Sequence, residues 1–406
     1  MGDDAGYLFS GLKVLDVGTW IAAPVAATML ADLGADVIKV EQPVQGDAYR
    51  RLAESPIGPR PAVNAYWIGD ARNKRSITLN LQTPEAREVL MRLVRECDVY
   101  ITNQPTPTRE AFGLTYEALA KLNPRMIYAS LTAYGEEGPD AGREGFDGVA
   151  WWARSGLMDQ VRAWGATPGM SVPGMGDHPT AVTMYAMIVT ALLWRERTGK
   201  GTRVHTSLMA NGAWANGCYV QAALAGGTFQ RREDSPPEPI SPNRVLFETA
   251  DGRLLQLYMI RGHDELDALL VAGERHDLLG DVRFAEPAGR AAYMAEFIEE
   301  LRNMFRARTA DDWLARFRAG GVNVTLVAQM EDIALDEQLK ANGSLVPPTD
   351  ASVPMPLILN HPMRIDGLPA VGPKHAPGLG EHTVQILREL GLNAAEIADY
   401  EARGIV

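Results

Sequence analysis

The chain is short of cysteine, of long hydrophobic runs and of positive charge, and each shortage removes a class of function. Only two cysteines, Cys97 and Cys218, occur in 406 residues. That number supports neither a disulfide framework nor a cysteine-based metal site, and a reducing, cytoplasmic setting is the default expectation. Cys97 ends a helical pattern beside an apolar strand and reads as a small core hydrophobe. The most apolar stretch, 181–194, is shorter than a bilayer span and carries Thr183, Tyr185 and Thr190, so it reads as a buried helix. The first residues, MGDDAGYLFS, lack the basic start and apolar run of a secretory signal. Lys and Arg number 39 against 51 Asp and Glu, for a net charge of 39 − 51 = −12. This balance argues against nucleic acid or a membrane leaflet as partner, while leaving room for a small anion held by a local basic cluster. The seven histidines show no close ligand spacing, so no metal is expected. Glycine and proline are frequent but follow no collagen-like period.

What remains is a chain that is 46 % hydrophobic and long enough for two or three domains. Residues 13–17 (KVLDV) read as a strand, 22–33 as a buried helix with Pro24 in its first turn, and 36–40 (DVIKV) as a second strand. Helical patterns at 83–96 and 116–122 then alternate with strands at 76–79, 98–102 and 126–131. The fold expected is α/β, a Rossmann-like doubly wound sheet covered by helices. A glycine-containing stretch, 132–176, precedes a strong helix at 179–197 and a strand-like 202–208. The polar, proline-rich segment 230–242 is the clearest boundary. Beyond it, 243–335 reads as a smaller α+β unit with a strand at 254–259 and helices near 264–270, 290–305 and 310–317. Residues 336–362 form a return linker, proline-rich from 346, before a last helical pattern at 381–390.

Asp177 is the most informative acid. It follows a glycine-rich approach (PGMSVPGMGD) and directly precedes a helix whose first turn accommodates Pro179, which places it close to the N-cap. Free N–H groups and the helix dipole favour an anion there. A carboxylate so held can cap the helix, or it can attack an activated carbonyl while neighbouring N–H groups stabilise the oxyanion. Arg72, Lys74 and Arg75 cluster ahead of the third strand, and Arg50 and Arg51 follow the turn after the second. Such cations are either solvated surface or a phosphate site beside the carboxyl ends of parallel strands. In GFDGVAWWARSGLM (145–158) the indoles of Trp151 and Trp152 either line an apolar pocket or pack a core, and Asp147 is either catalytic or a turn residue. No glycine pattern completes a dinucleotide or P-loop fingerprint.

Across nearly its whole length the chain resembles the class III CoA-transferases of the CaiB/BaiF type. That family includes formyl-CoA, carnitine and benzylsuccinate CoA-transferases, with the α-methylacyl-CoA racemases as relatives. The resemblance is carried, in order, by GLKVLDVGTWIAAPVAATMLADLGADVIKVEQPVQGDAYR (11–50), NKRSITLNL (73–81), DVYITN (98–103), LNPRMIYASLTAYGEEGP (122–139), GFDGVAWWARSG (145–156), GD (176–177), ERTGKGTRV (196–204), DVRF (281–284) and PGLGEHTVQILRELG (377–391). It implies an interlocked homodimer, or a heteromer with a related subunit, and a large domain made of 1–229 and 363–406 with the small domain between them. It implies CoA and acyl-CoA as substrates together with small carboxylic acids, and no prosthetic group. It assigns the nucleophile to Asp177, which forms an aspartyl mixed anhydride and then an aspartyl-CoA thioester. It directs attention to Trp20, Arg72, Lys74, Arg75, Asn103 and Arg109 as CoA contacts.

The sequence departs from the family pattern in places. Gln42 and Gln82 stand where basic residues are common, Asn80 replaces an aspartate, and Ala111 stands where an arginine occurs, two residues after Arg109. The racemases carry a histidine before the aspartate of GHD; here it is Phe146, which cannot move an α-proton, so transfer is expected over racemization. Trp151 and Trp152 point to an aromatic or branched acceptor such as benzylsuccinate or phenyllactate, with succinyl-CoA or a related donor. An intramolecular CoA-transferase or acyl-CoA isomerase, and an inactive subunit of a heteromeric enzyme, are the alternatives.

Overall fold

Short apolar stretches alternate with helices through the first half of the chain because parallel strands need covered crossovers and bury both faces. The computed structural model describes residues 6–56, 58–231, 241–258, 260 and 262–406. Most of the expected linker 230–242, and Met259 of the expected strand 254–259, lie outside the described residues. Two compact units emerge, one of Met1–Glu233 with Gln338–Val406, the other of Asp234–Glu337.

In the first unit the order is β1 (Lys13–Asp16), α1 (Ala22–Ala31), β2 (Asp36–Glu41), α2 (Ala65–Ala71), β3 (Arg75–Thr78), α3 (Pro84–Glu96), β4 (Val99–Thr102), α4 (Thr106–Ala111), α5 (Tyr116–Leu119), β5 (Ile127–Thr132), α6 (Leu157–Gln160), α7 (Asp177–Thr198), β6 (Thr202–Ser207), α8 (Leu208–Ala215) and α9 (Gly217–Leu224). The six strands form one wholly parallel sheet in the order β3-β2-β1-β4-β5-β6. Side chains alternate between its faces. Leu15, Ile38, Ile77 and Tyr100 meet α3 on one side, while Val14, Val37, Ile101 and Ala129 meet α1 and α7 on the other. Alanines 22, 23, 26 and 27 give α1 a small surface, so it packs tightly against Ala181, Met184 and Ile188 of α7.

The chain end returns to this unit. Ile386 and Leu387 are buried on the α3 side, and Thr383 Oγ1 accepts the Thr78 N–H at 3.0 Å, covering the β3 edge. The helices Ala65–Ala71, Leu208–Ala215, Gly217–Leu224 and Ala394–Ala402 were not foreseen from periodicity.

The second unit holds an antiparallel sheet of Leu246–Glu248, Leu254–Leu257 and Val324–Leu326. Its core is aromatic, with Phe305 centred between Phe247, Trp313 and Phe317. The helix expected over 290–305 is broken at Tyr293 into Pro287–Ala292 and Met294–Phe305. Among the described residues no helix is long and apolar enough to cross a membrane, and no three His, Cys, Asp or Glu side chains group as a metal site would need.

Candidate active site

The strand order reverses between β1 and β4, and a crevice opens at the carboxyl ends of the strands at this point. A cavity of about 560 Å³ lies there, lined by residues that follow β1, β4, β5 and β6. Trp20, Asn103, Phe146, Asp147, Asp177 and Leu208 all contribute to its wall. The loop after β1 is tied down from several directions. Asn103 accepts the Thr19 N–H and donates to the Thr19 carbonyl, both at 2.8 Å. Asp47 accepts the Trp20 N–H at 3.0 Å, and the buried Lys39 ammonium donates to the Gly18 carbonyl. These bonds hold Trp20 at φ 65°, a left-handed conformation that a bulky residue adopts only when its surroundings impose it. Its indole then meets the Phe146 ring edge to face at 5.1 Å, and the pair forms an aromatic wall.

Asp177 is the first residue of α7, and Gly176 is the N-cap. The cap therefore makes no side-chain bond, so of the two readings Asp177 is not the cap, and its side chain lines the cavity. Gly176 is needed because a Cβ there would lie 2.5 Å from the Trp151 ring. Asp147 sets this turn: one oxygen accepts the Gly148 N–H at 2.8 Å and the other the Gly176 N–H at 2.9 Å. Burial, then the Asp147 charge, pushes the Asp177 carboxyl up to about 7; His178 opposes this and Asp70 adds to it. The helix end does not present the row of N–H donors expected for an oxyanion. Gly176 donates to Asp147, His178 to Gly174 and Thr180 to Gly176, while Pro179 has no N–H.

The cavity thus brings together Trp20, Asn103 and Asp177. It does not bring in Arg72, Lys74, Arg75 or Arg109. Arg72 makes a bidentate pair with Asp32 at 3.1 and 2.6 Å, and Lys74 is buried between Asp16 at 2.8 Å and the Pro24 carbonyl at 2.6 Å. Arg75 bridges Asp36 and Glu389 at 2.6 and 2.8 Å. Three heads turned to separate carboxylates, four in all, make no common anion site. Withdrawing Arg72 would leave the buried Asp32 without its guanidinium, at a cost of about 3–5 kcal/mol, whereas Asp16 without Lys74 would keep Lys39 at 3.7 Å. Arg109 is buried against Glu136 at 2.9 Å and donates to Thr106 Oγ1 at 2.8 Å, so it supports the cavity wall from behind. Arg50 is likewise committed to Glu41, at 2.8 and 2.7 Å, and lies over the Trp67 ring.

Trp151 and Trp152 are also placed differently from the pocket reading. They are 7 % and 8 % exposed, stack on each other, and belong to a core with Leu208. The Trp152 indole N–H donates to the Gly169 carbonyl at 2.8 Å. The apolar wall is supplied instead by Trp20, Ile21, Leu52, Phe146 and Leu208. Two residues behind the site were missed altogether. Asp70 and Tyr49 reach His178 through side-chain hydrogen bonds, and no local spacing links positions 49, 70 and 178.

Comparison with known proteins gives the family and the fold. The model of a family described as CoA-transferase family III matches residues 9–383. The chain is 29 % identical over 402 residues to (R)-2-hydroxy-4-methylpentanoate CoA-transferase of Clostridioides difficile, covering 98 % of this chain and 99 % of that one. It is 32 % identical over 408 residues to cinnamoyl-CoA:phenyllactate CoA-transferase of Clostridium sporogenes, covering 97 % and 96 %. A solved structure of a CAIB/BAIF family protein from Brucella suis superimposes with a TM-score of 0.83 at 30 % identity, over 95 % of this chain and 100 % of that one.

Proposed function

The chain belongs to CoA-transferase family III, and from that premise we propose that it moves CoA between carboxylic acids with Asp177 as the covalent carrier. The observation that carries the reading is the Asp177 carboxylate, without a capping bond, at the helix end that borders the switch-point cavity. An Asp177 oxygen attacks the thioester carbonyl of an acyl-CoA, the C–S bond breaks, and the CoA thiolate leaves with the electron pair. The thiolate then attacks the Asp177 carboxyl carbon of the mixed anhydride and expels the acyl group as a carboxylate. The acceptor carboxylate and the thiolate repeat the two steps in reverse order, so the thioester is conserved and no net proton is consumed. Trp20 and Asn103 line the cavity, and in this reading they contact the acyl and pantetheine end of CoA. Arg72, Lys74, Arg75 and Arg109 hold the scaffold through their internal ion pairs.

The aromatic wall of Trp20 and Phe146 supports an acceptor with a branched or aromatic side chain. The named substrates of the two relatives have side chains of that kind. The exposed apolar face of α8 and α9, where Trp214 is 85 % and Leu224 77 % exposed, supports burial against a second chain in an interlocked dimer. Light scattering on the purified protein tests that point, a monomer refuting it.

The mechanism is tested by incubating the enzyme with acyl-CoA, adding hydroxylamine, and mapping the modified peptide by mass spectrometry. Modification at Asp177, and loss of transfer in a folded Asp177→Ala variant, are expected; an active Asp177→Ala enzyme ends the mechanism. A competition panel of oxalate, succinate, phenyllactate and 2-hydroxy-4-methylpentanoate tests the acceptor. Turnover of oxalate with none of the larger acids would overturn the aromatic-wall reading.

A further inference from the structure

His178 is the residue after the nucleophile, and its ring is held at both nitrogens. Nδ1 lies 3.1 Å from the Gly174 carbonyl oxygen and Nε2 lies 3.3 Å from Asp70 Oδ1. The Tyr49 hydroxyl donates to the other oxygen of Asp70. A carbonyl and a carboxylate so engaged are acceptors only, and a neutral imidazole has a single N–H. Both contacts are satisfied together only by the imidazolium. The seat for the ring is built into the backbone: Gly174 has φ 80°, and a Cβ there would lie 2.9 Å from Nδ1. A side chain on the surface for solubility alone would need none of this.

We infer that His178 is a positioning residue for the nucleophile, a standing positive charge clamped by Asp70 and the Gly174 carbonyl that favours the Asp177 carboxylate over its neutral acid. The inference rests on Asp177 being the carrier. The need for such a charge follows from the surroundings. Asp147 precedes the π-helical turn Gly148–Ala153, and Asp70 belongs to α2; both charges oppose ionisation of Asp177, as does its burial. Glu144 and Arg143 also stand in the cavity wall. Tyr49, buried beside Asp70, stays protonated and remains a donor. Partial desolvation of the half-exposed His178 works against its charge, but the Asp70 hydrogen bond and charge, the Gly174 carbonyl and Asp177 outweigh it and carry its pKa to about 9.

The test is the pH dependence of acyl-CoA capture in wild type, H178Q and H178K. The acid limb of H178Q is expected to move up by about one unit, an about tenfold loss on the limb, with the high-pH plateau retained. H178K, which restores a charge, is expected to bring the limb back. Independently of activity, NMR of 13C-labelled histidine is expected to show one imidazole, absent in H178Q, that stays protonated beyond pH 8. An unmoved acid limb in folded H178Q, or a neutral His178 at pH 7.5, overturns the inference. The nucleophile reading fails separately, through a transfer-competent D177N. An inactive D177N with an unmoved H178Q limb sinks only the role of His178.

Discussion

Asp177→Asn removes one titration while keeping the size of the side chain, and the structure predicts how stability responds. Burial and the Asp147 charge move this carboxyl from 3.8 to about 7. A gap of about 3 units corresponds to about 4 kcal/mol at most, at about 1.36 kcal/mol per unit. The folded state holds the proton more tightly than the unfolded chain does. Its stabilising contribution is therefore full below 3.8, declines as pH rises through about 7, and is lost above that. Between about pH 5 and about pH 8 the linkage takes about 2.5 kcal/mol from the wild type and nothing from D177N. Urea unfolding of both proteins at several pH values in that window, read as the difference between them, measures the effect. D177N should gain on the wild type steadily with pH. A difference that is flat with pH would mean an ordinary carboxyl at position 177, and the argument from burial and Asp147 would be refuted.

The buried cations give a second test. K74M, which takes from the buried Asp16 its partner at 2.8 Å and leaves Lys39 at 3.7 Å, should cost up to about 3 kcal/mol in urea unfolding. R75Q, whose acidic partners are 41 % and 48 % exposed, should cost about 1 kcal/mol or less. A rise in KM for acyl-CoA in folded R75Q would return that residue to CoA binding. W152F, which loses the bond to the Gly169 carbonyl, should destabilise by about 1 kcal/mol and leave acyl preference unchanged, whereas F146A should raise KM for large acyl groups with little loss of stability. The opposite pattern would put Trp152 in the pocket. G174A should cost about 1–3 kcal/mol and shift the acid limb in the direction of H178Q, because its Cβ displaces the imidazole; an unchanged profile would show that the ring seat is dispensable.

Much of the architecture was legible from spacing. Strands such as Val99–Thr102 are buried on both faces and so appear as short apolar runs, and α3 carries its apolar residues at helical intervals. The helices that escaped notice were of other kinds. Ala65–Ala71 is a short helix with only Trp67 and Ala71 buried, and α9 buries nothing in the single chain, so neither presents a one-sided pattern to read. Asp177 stood out through its glycine-rich approach and the helix behind it, but that local context favours a helix cap, and the nucleophile reading came from the family resemblance. The turn bears on the cap alone: Gly176 is the N-cap, and its N–H is taken by Asp147, 29 residues earlier.

What the sequence determined by itself is whatever depends on neighbours along the chain: the alternation of strands and helices, a helix start within two residues of Asp177, and the glycines that let the backbone bend before it. What only the tertiary structure decided is which side chains pair. Arg72, Lys74 and Arg75 are four residues of sequence with three destinations, because β3 passes beside β2 and α1 and each head finds a different acid. Thr19 and Asn103 are 84 positions apart, and Asp70 and His178 are 108 apart, yet each pair is in contact. The strand order brings the ends of β1 and β4 side by side, and α2 is carried up to the start of α7. Hydrogen-bond and ionic partners are chosen by distance in space, which pattern along a chain does not encode.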